Sequence, residues 1–120
     1  MTINVNAVTF DCADALVMGQ FWSAVLGQPL DTARTEPSSF FASIGMGPGQ
    51  QGYMFIQVPE GKAAKNRVHL DLQADNLDAE VARVTALGAT KIHDKAEYGI
   101  TWTTLADPEG NEFCIGGPHH

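Results

Sequence analysis

The feature that most limits the folds open to this chain is an internal repeat. The segment Thr9-Phe10-Asp11-Cys12-Ala13-Asp14 is echoed sixty residues later by His69-Leu70-Asp71-Leu72-Gln73-Ala74-Asp75. Each copy continues through a stretch with helical spacing to a Leu-Gly pair, at Leu26-Gly27 and at Leu87-Gly88. Because self-similarity within a chain marks a repeated supersecondary unit, the sequence predicts two copies of one unit.

Each copy predicts the same order of elements. The opening segments alternate apolar and polar residues, which is the two-residue period of a strand. Asp14 and Asp75 stand where a helix N-cap belongs, and Gly27 and Gly88 stand where a helix ends. Turn residues then separate short apolar runs that predict further strands at 28–33, 40–44 and 53–58, and at 90–94, 100–106 and 112–115. We therefore expect an α+β fold of two βαβββ modules, about 4–58 and 66–116, in a single domain over 1–118.

The charge balance narrows the range of partners. The 120 residues include 7 Lys and Arg against 14 Asp and Glu, a net charge of −7 that repels phosphate backbones and anionic lipid surfaces. No apolar run approaches the ~20 residues needed to span a bilayer. We expect a cytoplasmic protein that binds neither nucleic acid nor membrane. Two cysteines are too few for a disulfide scaffold, and His119 and His120 are set aside as a possible tag remnant.

Strand alternation predicts which residues face the helices. On that face we expect Val8, Phe10, Met54, Ile56, Val58, Val68, Leu70, Leu72, Phe113 and Ile115. On the opposite face we expect Ala7, Thr9, Asp11, Tyr53, Phe55, Gln57, His69, Asp71, Glu112 and Cys114. If two such sheets curl together, this second set lines a cup of mixed polar and aromatic character, suited to a small molecule.

The glycine-rich segment Gly45-Met46-Gly47-Pro48-Gly49-Gln50-Gln51-Gly52 is interpreted as a turn between strands. A phosphate-binding loop would need a following Lys-Ser/Thr pair and a helix, and neither follows. The sequence gives no support for nucleotide binding.

Three motifs, together with the repeat, resemble the vicinal oxygen chelate superfamily and its glyoxalase-like, bleomycin-resistance-like branch. They are Phe21-Trp22-Ser23-Ala24-Val25-Leu26-Gly27, Asn66-Arg67-Val68-His69-Leu70-Asp71-Leu72 and Asp107-Pro108-Glu109-Gly110-Asn111-Glu112-Phe113. The resemblance covers the chain from about Val5 to Ile115. It implies a curved, cup-shaped mixed sheet, and it leaves open activities from lyase and isomerase to metal-free antibiotic binding.

The resemblance also implies where a divalent metal would be held. The positions that carry His or Glu in metalloenzymes of this superfamily fall on Ala7, Gln57, His69 and Cys114. Of these, only His69 is a strong ligand of the expected kind, because alanine and a neutral amide do not replace imidazole and carboxylate. We therefore expect no cofactor and no metal. A zinc site rebuilt from His69, Asp71, Cys114 and Glu112 remains a second possibility.

Candidate site residues follow from the expected cup face. His69 can transfer protons near neutral pH, and Asp71 could orient it or contact ligand directly. Asp11 holds the equivalent place in the first copy, and two close carboxylates could supply a proton donor without a metal. A structural alternative is that His69 and Asp71 only satisfy each other in a wet groove. The candidate ligand-binding residues are Thr9, Tyr53, Phe55, Gln57, Trp102 and Cys114.

Two functions remain open at this stage. The first is a metal-free protein that binds an aromatic or polycyclic metabolite or antibiotic in the cup. The second is a lyase- or isomerase-type enzyme that uses His69 with Asp71 or Asp11, with or without a divalent metal. The resemblance also implies a homodimer, since short chains of this superfamily with one pair of modules usually dimerise.

Overall fold

The computed structural model of the chain describes residues 3–33 and 35–117. The chain divides into two compact units, residues 1–61 and 62–120. The elements of the first are β1 (Ala7–Cys12), α1 (Ala15–Leu26), β2 (Phe41–Ile44) and β3 (Gly52–Gln57), and those of the second are β4 (Asp71–Gln73), α2 (Leu77–Leu87), β5 (Thr90–Glu97), β6 (Ile100–Ala106) and β7 (Glu112–Gly116). Two helices and two open sheets confirm the predicted α+β class. Over the described residues, neither helix is long and apolar enough to cross a membrane.

The first unit contains a three-stranded sheet in the order β1-β3-β2. β1 runs parallel to β3, and β2 pairs with β3 in the antiparallel sense. The side chain of Asp14 accepts hydrogen bonds from the backbone N–H groups of Leu16 and Val17, which confirms the predicted N-cap of α1. Gly27 ends the helix at a φ of 66°, a left-handed conformation that glycine adopts readily.

An aromatic cluster joins α1 to its sheet. The ring centroid of Phe10 lies 5.5 Å from that of Trp22 and 5.1 Å from that of Phe55. A Cβ built on Gly19 of the helix would lie 2.9 Å from Ala42 Cβ and 3.7 Å from a ring carbon of Phe55. Helix and sheet therefore approach closely enough here that only glycine fits without a shift.

This packing corrects the predicted orientation of β3. Phe10 pairs with Phe55, and neighbouring residues on paired strands point to the same face, so Phe55 faces α1 and is 0% exposed. Tyr53 and Gln57 are each two positions from Phe55, so they face the helix as well. The Gln57 side-chain amide donates to the carbonyl oxygen of Ala13, 3.0 Å away. The predicted orientation of Tyr53, Phe55 and Gln57 is therefore wrong. The sequence pattern Tyr-Met-Phe-Ile is apolar at every position, so periodicity alone could not assign its faces.

The strand predicted at 28–33 is reduced to a single bridge between Leu30 and Ile44. Pro29 has no backbone N–H to donate to a ladder. The segment is held to β2 through Asp31 instead, whose carboxylate accepts from the Ser43 hydroxyl at 3.0 Å and from the Met46 N–H at 3.1 Å. The first unit therefore has one strand fewer than the second.

The second unit contains a four-stranded sheet in the order β4-β7-β6-β5, with β4 parallel to β7 and the other pairs antiparallel. The N-cap of α2 is Asn76, whose side-chain oxygen accepts from the Ala79 N–H, and not Asp75 as predicted. The predicted turn after β6 is confirmed, because Asp107 accepts from the N–H groups of Glu109 and Asn111. Val68, predicted to face the helix, is 80% exposed because regular pairing begins only at Asp71.

Phe55 provides a test of the corrected orientation. We expect Phe55→Ala to lower the free energy of unfolding by about 3–5 kcal/mol, because it removes a fully buried ring and leaves a cavity. Met54→Ala, on the opposite face of the same strand and half-buried, is the matched control and should cost clearly less. Urea denaturation of both variants measures the difference. Equal small losses would mean that Phe55 lies outside the core.

Asp94 of β5 provides a test of pH dependence. The Lys91 ammonium and the Thr103 hydroxyl, which lies 2.7 Å from a carboxylate oxygen, hold the pKa of Asp94 below its usual range. A carboxyl whose pKa is depressed by folding stabilises the protein above its unfolded pKa of about 3.9, and this contribution is lost as pH falls through the folded value. Asp94→Asn should therefore lower the urea midpoint at pH 7 and have no effect on it near pH 2. A difference that persists unchanged in acid would contradict this assignment.

Candidate functional site

The site in the second unit is assembled by the register of three neighbouring strands. Asp71 of β4 pairs with Cys114 of β7, and Cys114 pairs with Thr104 of β6. Paired residues project to the same side of a sheet, so these three side chains form a row across it. In the next row Gln73 and Gly116 stand beside Trp102. The rows lie on the face opposite Thr103 and Leu105, which are buried.

His69 joins this row because the segment before β4 is fastened to β7. The Asn66 side chain accepts from the Glu112 N–H at 2.8 Å and donates to the Glu112 carbonyl oxygen at 3.0 Å. Further along, the Cys114 N–H donates to the carbonyl oxygen of Leu70 at 3.0 Å. These bonds fasten the chain on both sides of His69, and the His69 Nδ1 lies 3.4 Å from the Asp71 carboxylate, so the two side chains lie on the same side.

His69, Asp71 and Cys114 form a compact cluster. One imidazole nitrogen, one carboxylate oxygen and the Cys114 sulfur all lie within 4.8 Å of one another. The His69 Nδ1 lies 3.4 Å from Asp71 Oδ1, and their side chains are 41% and 75% exposed. The Thr104 hydroxyl lies 3.4 Å from the Cys114 sulfur, within hydrogen-bonding range for that atom. The cluster is accessible to solvent and to a ligand.

The cluster borders a groove of about 590 Å³. One edge of the groove is polar and carries His69, Asp71 and Gln73, while Trp102 and Ile100 form an apolar edge, with Cys114 and Gly116 also among the lining residues. This volume lies within the range of small-molecule sites, which combine an apolar wall with a few polar groups. The groove can therefore hold a flat ligand against the indole and contact it with the imidazole or the carboxylate.

The other predicted site residues lie in the first unit. Thr9 and Asp11 are exposed on β1, on the side opposite Phe10. Tyr53, Phe55 and Gln57 face α1, as described above. The structure therefore brings together His69, Asp71, Trp102 and Cys114 among the predicted site residues.

Sequence reasoning missed Thr104 and Ile100. Both lie on β6, which was predicted as a strand, and both are two positions from Trp102, a residue already chosen for the site. Strand alternation alone would have placed Ile100, Trp102 and Thr104 on one face.

The cluster is also a possible metal site, since imidazole, carboxylate and thiolate are all zinc ligands. Of the four positions that the resemblance implies for a metal, however, Ala7 offers no donor atom and Gln57 offers only a neutral amide, so the family set is incomplete. His69 and Cys114 remain of those four, and Asp71 adds a third donor whose carboxylate already faces the His69 Nδ1. The cluster therefore has the types of side chain that bind zinc, but it lacks two of the ligands that metalloenzymes of the family use.

Comparison with solved structures places the fold. The chain is similar to a glyoxalase/bleomycin resistance protein/dioxygenase family enzyme from Burkholderia phytofirmans, with a TM-score of 0.77 at 22% identity over 96% of this chain and 98% of that one. It is also similar to the fosfomycin resistance protein FosX from Mesorhizobium loti, with a TM-score of 0.73 at 18% identity over 98% and 94%. A lactoylglutathione lyase from Agrobacterium tumefaciens gives 0.65 at 16% identity over 95% and 92%. At these identities the likeness shows a shared fold.

Sequence comparison gives the family. No curated protein matches the chain in sequence. The sequence model of the Glyoxalase-like domain family matches residues 7–116, which include every strand and both helices described above. The resemblance inferred from the repeat and its motifs is confirmed. This chain belongs to the Glyoxalase-like domain family, within the vicinal oxygen chelate superfamily.

Proposed function

We propose that this protein binds a planar aromatic or polycyclic small molecule, a metabolite or an antibiotic, in the groove beside Trp102, and that it does so without a metal. The observation that carries the proposal is the pairing of the half-buried Trp102 indole with the accessible imidazole and carboxylate of His69 and Asp71 in one groove. Flat rings stack on an indole, and such a contact contributes about 0.5–1.5 kcal/mol beyond the area it buries. The imidazole and the carboxylate would fix the ligand's orientation through hydrogen bonds.

The names of the similar structures do not decide between a binding role and a catalytic one. Two of the three described above are named for fosfomycin resistance and for lactoylglutathione lyase activity. The incomplete metal set favours binding for this chain, because the chelating metalloenzymes of the superfamily depend on a fuller set of ligands.

A lyase- or isomerase-type enzyme is the second candidate. It is favoured by the contact between His69 Nδ1 and Asp71, because a carboxylate against one imidazole nitrogen orients the ring and leaves the other nitrogen to accept a proton. Asp11 would take part only if the two units bring β1 to the same site. Turnover of a bound ligand that depends on His69 would favour this candidate over simple binding.

The assembly and the location of the protein are also proposals. We propose that the two units form one domain, that the protein is a cytoplasmic homodimer, and that it binds neither nucleic acid nor membrane. Light scattering on the 12.9 kDa chain tests the dimer directly. A species of about 13 kDa alone would contradict it.

Ligand binding can be followed through Trp102. The chain has two tryptophans, and Trp22 is 1% exposed, so solvent-borne quenchers and groove ligands act mainly on Trp102. A screen with planar aromatic compounds should find ligands that change tryptophan fluorescence and raise Tm. A ligand at 100 times its Kd adds about 2.7 kcal/mol to stability, which corresponds to roughly 10 °C in a domain of this size.

Two variants locate the ligand. Trp102→Ala should weaken binding about tenfold, the equivalent of 1.4 kcal/mol lost from stacking and burial. His93→Ala is the matched control, because His93 lies on β5 beside Thr104 but does not line the groove. Its Kd should stay within about threefold of the original, as for an exposed residue outside the contact. Equal losses in both variants would place the ligand elsewhere.

Metal content separates the two candidate functions. With His119 and His120 removed, we expect the purified protein to contain well below one divalent ion per chain and to bind aromatic ligands equally well with and without a chelator. One zinc per chain that is lost in His69→Ala and Cys114→Ala, but retained in Cys12→Ala, would contradict the metal-free proposal.

A further inference from the structure

We propose that Cys114 is a nucleophilic thiol that adds covalently to planar α,β-unsaturated carbonyl compounds in the groove, with His69 accepting the thiol proton. This inference rests on the proposed function, because the same groove must first hold the planar ligand. It assigns to Cys114 a chemical reaction with the ligand in addition to contact. Electrophilic ligands would then be bound covalently in the groove.

The position of Cys114 suits a reacting thiol. Cys114 is half-buried and lines the groove. Its sulfur lies 3.4 Å from the Thr104 hydroxyl, which can donate a hydrogen bond to a developing thiolate. Cys12, the other cysteine, is 3% exposed, and its thiol donates to the Ile56 carbonyl oxygen at 3.4 Å. The two thiols therefore differ in access, and one chain provides both the reactive thiol and its control.

His69 and Asp71 supply the arrangement that activates a nucleophile. A thiol attacks as thiolate, and a nearby base oriented by a third group promotes its formation. The Asp71 carboxylate lies 3.4 Å from His69 Nδ1, which favours a proton on that nitrogen and leaves Nε2 as the acceptor. One nitrogen of the His69 ring lies within 4.8 Å of both the Asp71 carboxylate and the Cys114 sulfur. Catalytic hydrogen bonds are often long before a ligand binds, and the exposed His69 side chain can rotate to bring Nε2 to the sulfur.

The groove selects the class of electrophile. Sulfur is a soft nucleophile, and the β-carbon of a conjugated carbonyl compound is a soft electrophile that is flat enough to lie against Trp102. The Cys114 sulfur forms the bond to the β-carbon, and the electron pair of the C=C bond moves onto the enolate. The proton taken by His69 then returns to the α-carbon. The product is a saturated thioether, and the addition consumes no oxidant or reductant.

N-phenylmaleimide is the probe for this reaction, with N-phenylsuccinimide as its saturated, unreactive analogue. In a Cys12→Ala background, mass spectrometry should find one adduct, on Cys114. Peptide mapping of the wild-type chain should find the same site. The second-order rate should exceed that of glutathione by about tenfold, because free cysteine is only a few per cent thiolate at neutral pH.

His69→Ala should lower this rate by about tenfold, a modest share of what a general base contributes, and added imidazole should restore it. A residue with a purely structural role would not be rescued by free imidazole. His93→Ala should react at the unaltered rate. The saturated analogue should change Trp102 fluorescence equally in the wild-type protein and in Cys12→Ala, because Cys12 is buried and does not line the groove.

Failure of this inference is distinguishable from failure of the proposed function. If N-phenylsuccinimide binds while N-phenylmaleimide reacts no faster than with glutathione, or while His69→Ala leaves the rate unchanged, Cys114 is not an activated nucleophile and the binding proposal stands. If the saturated analogue and the planar aromatic panel both fail to bind, both proposals are wrong.

Discussion

The pairing of β4 with β7 is the interaction on which the candidate site depends. It is only three residues long, yet it sets Asp71 beside Cys114, which is itself paired with Thr104 of β6. Because side chains alternate between the faces of a sheet, a slip of one residue in this register would turn the Asp71 side chain away from Cys114 and put the Leu72 side chain in its place. The side-chain bonds of Asn66 to Glu112 lie just ahead of this short pairing and oppose such a slip. Asn66, which does not belong to the cluster, thereby helps to hold Asp71 beside Cys114.

The helix, the strand order along the chain and the cluster face of the second unit could be predicted from sequence, and the reason is physical. Its strands alternate, as in Leu70, Asp71, Leu72 and Gln73, so one face is apolar and the other polar, and the burial of the apolar face fixes the orientation. The predicted orientation of His69, Asp71 and Cys114 followed from that alternation. The N-cap was misplaced by one residue because Asp75 and Asn76 both have short polar side chains that can cap a helix.

The first unit departs from prediction where the sequence stops alternating. In β3 the residues Tyr53 to Ile56 are all apolar or aromatic, and the partner strand decides their orientation: Phe10 takes Phe55 into the cluster beneath α1. Such a choice depends on pairing between residues forty-five positions apart, which local pattern does not encode. The consequence for function is direct, since three of the predicted ligand-binding residues belong to the helix side of the first sheet. The candidate site is accordingly a property of the second unit.

The edge strand β5 has a consequence of a different kind. All eight of its residues are exposed, and its outer side is not paired with another strand among the described residues, so its backbone could serve as a template for strands of other chains. Two features oppose this: Lys91 and Lys95 place charge along the edge, and the register shift between Lys91 and His93 interrupts its regularity. Lysines and bulges at sheet edges are devices by which proteins resist aggregation. The long hairpin of β5 and β6 can therefore place Trp102 and Ile100 at one wall of the groove, while its edge strand β5 resists pairing with strands of other chains.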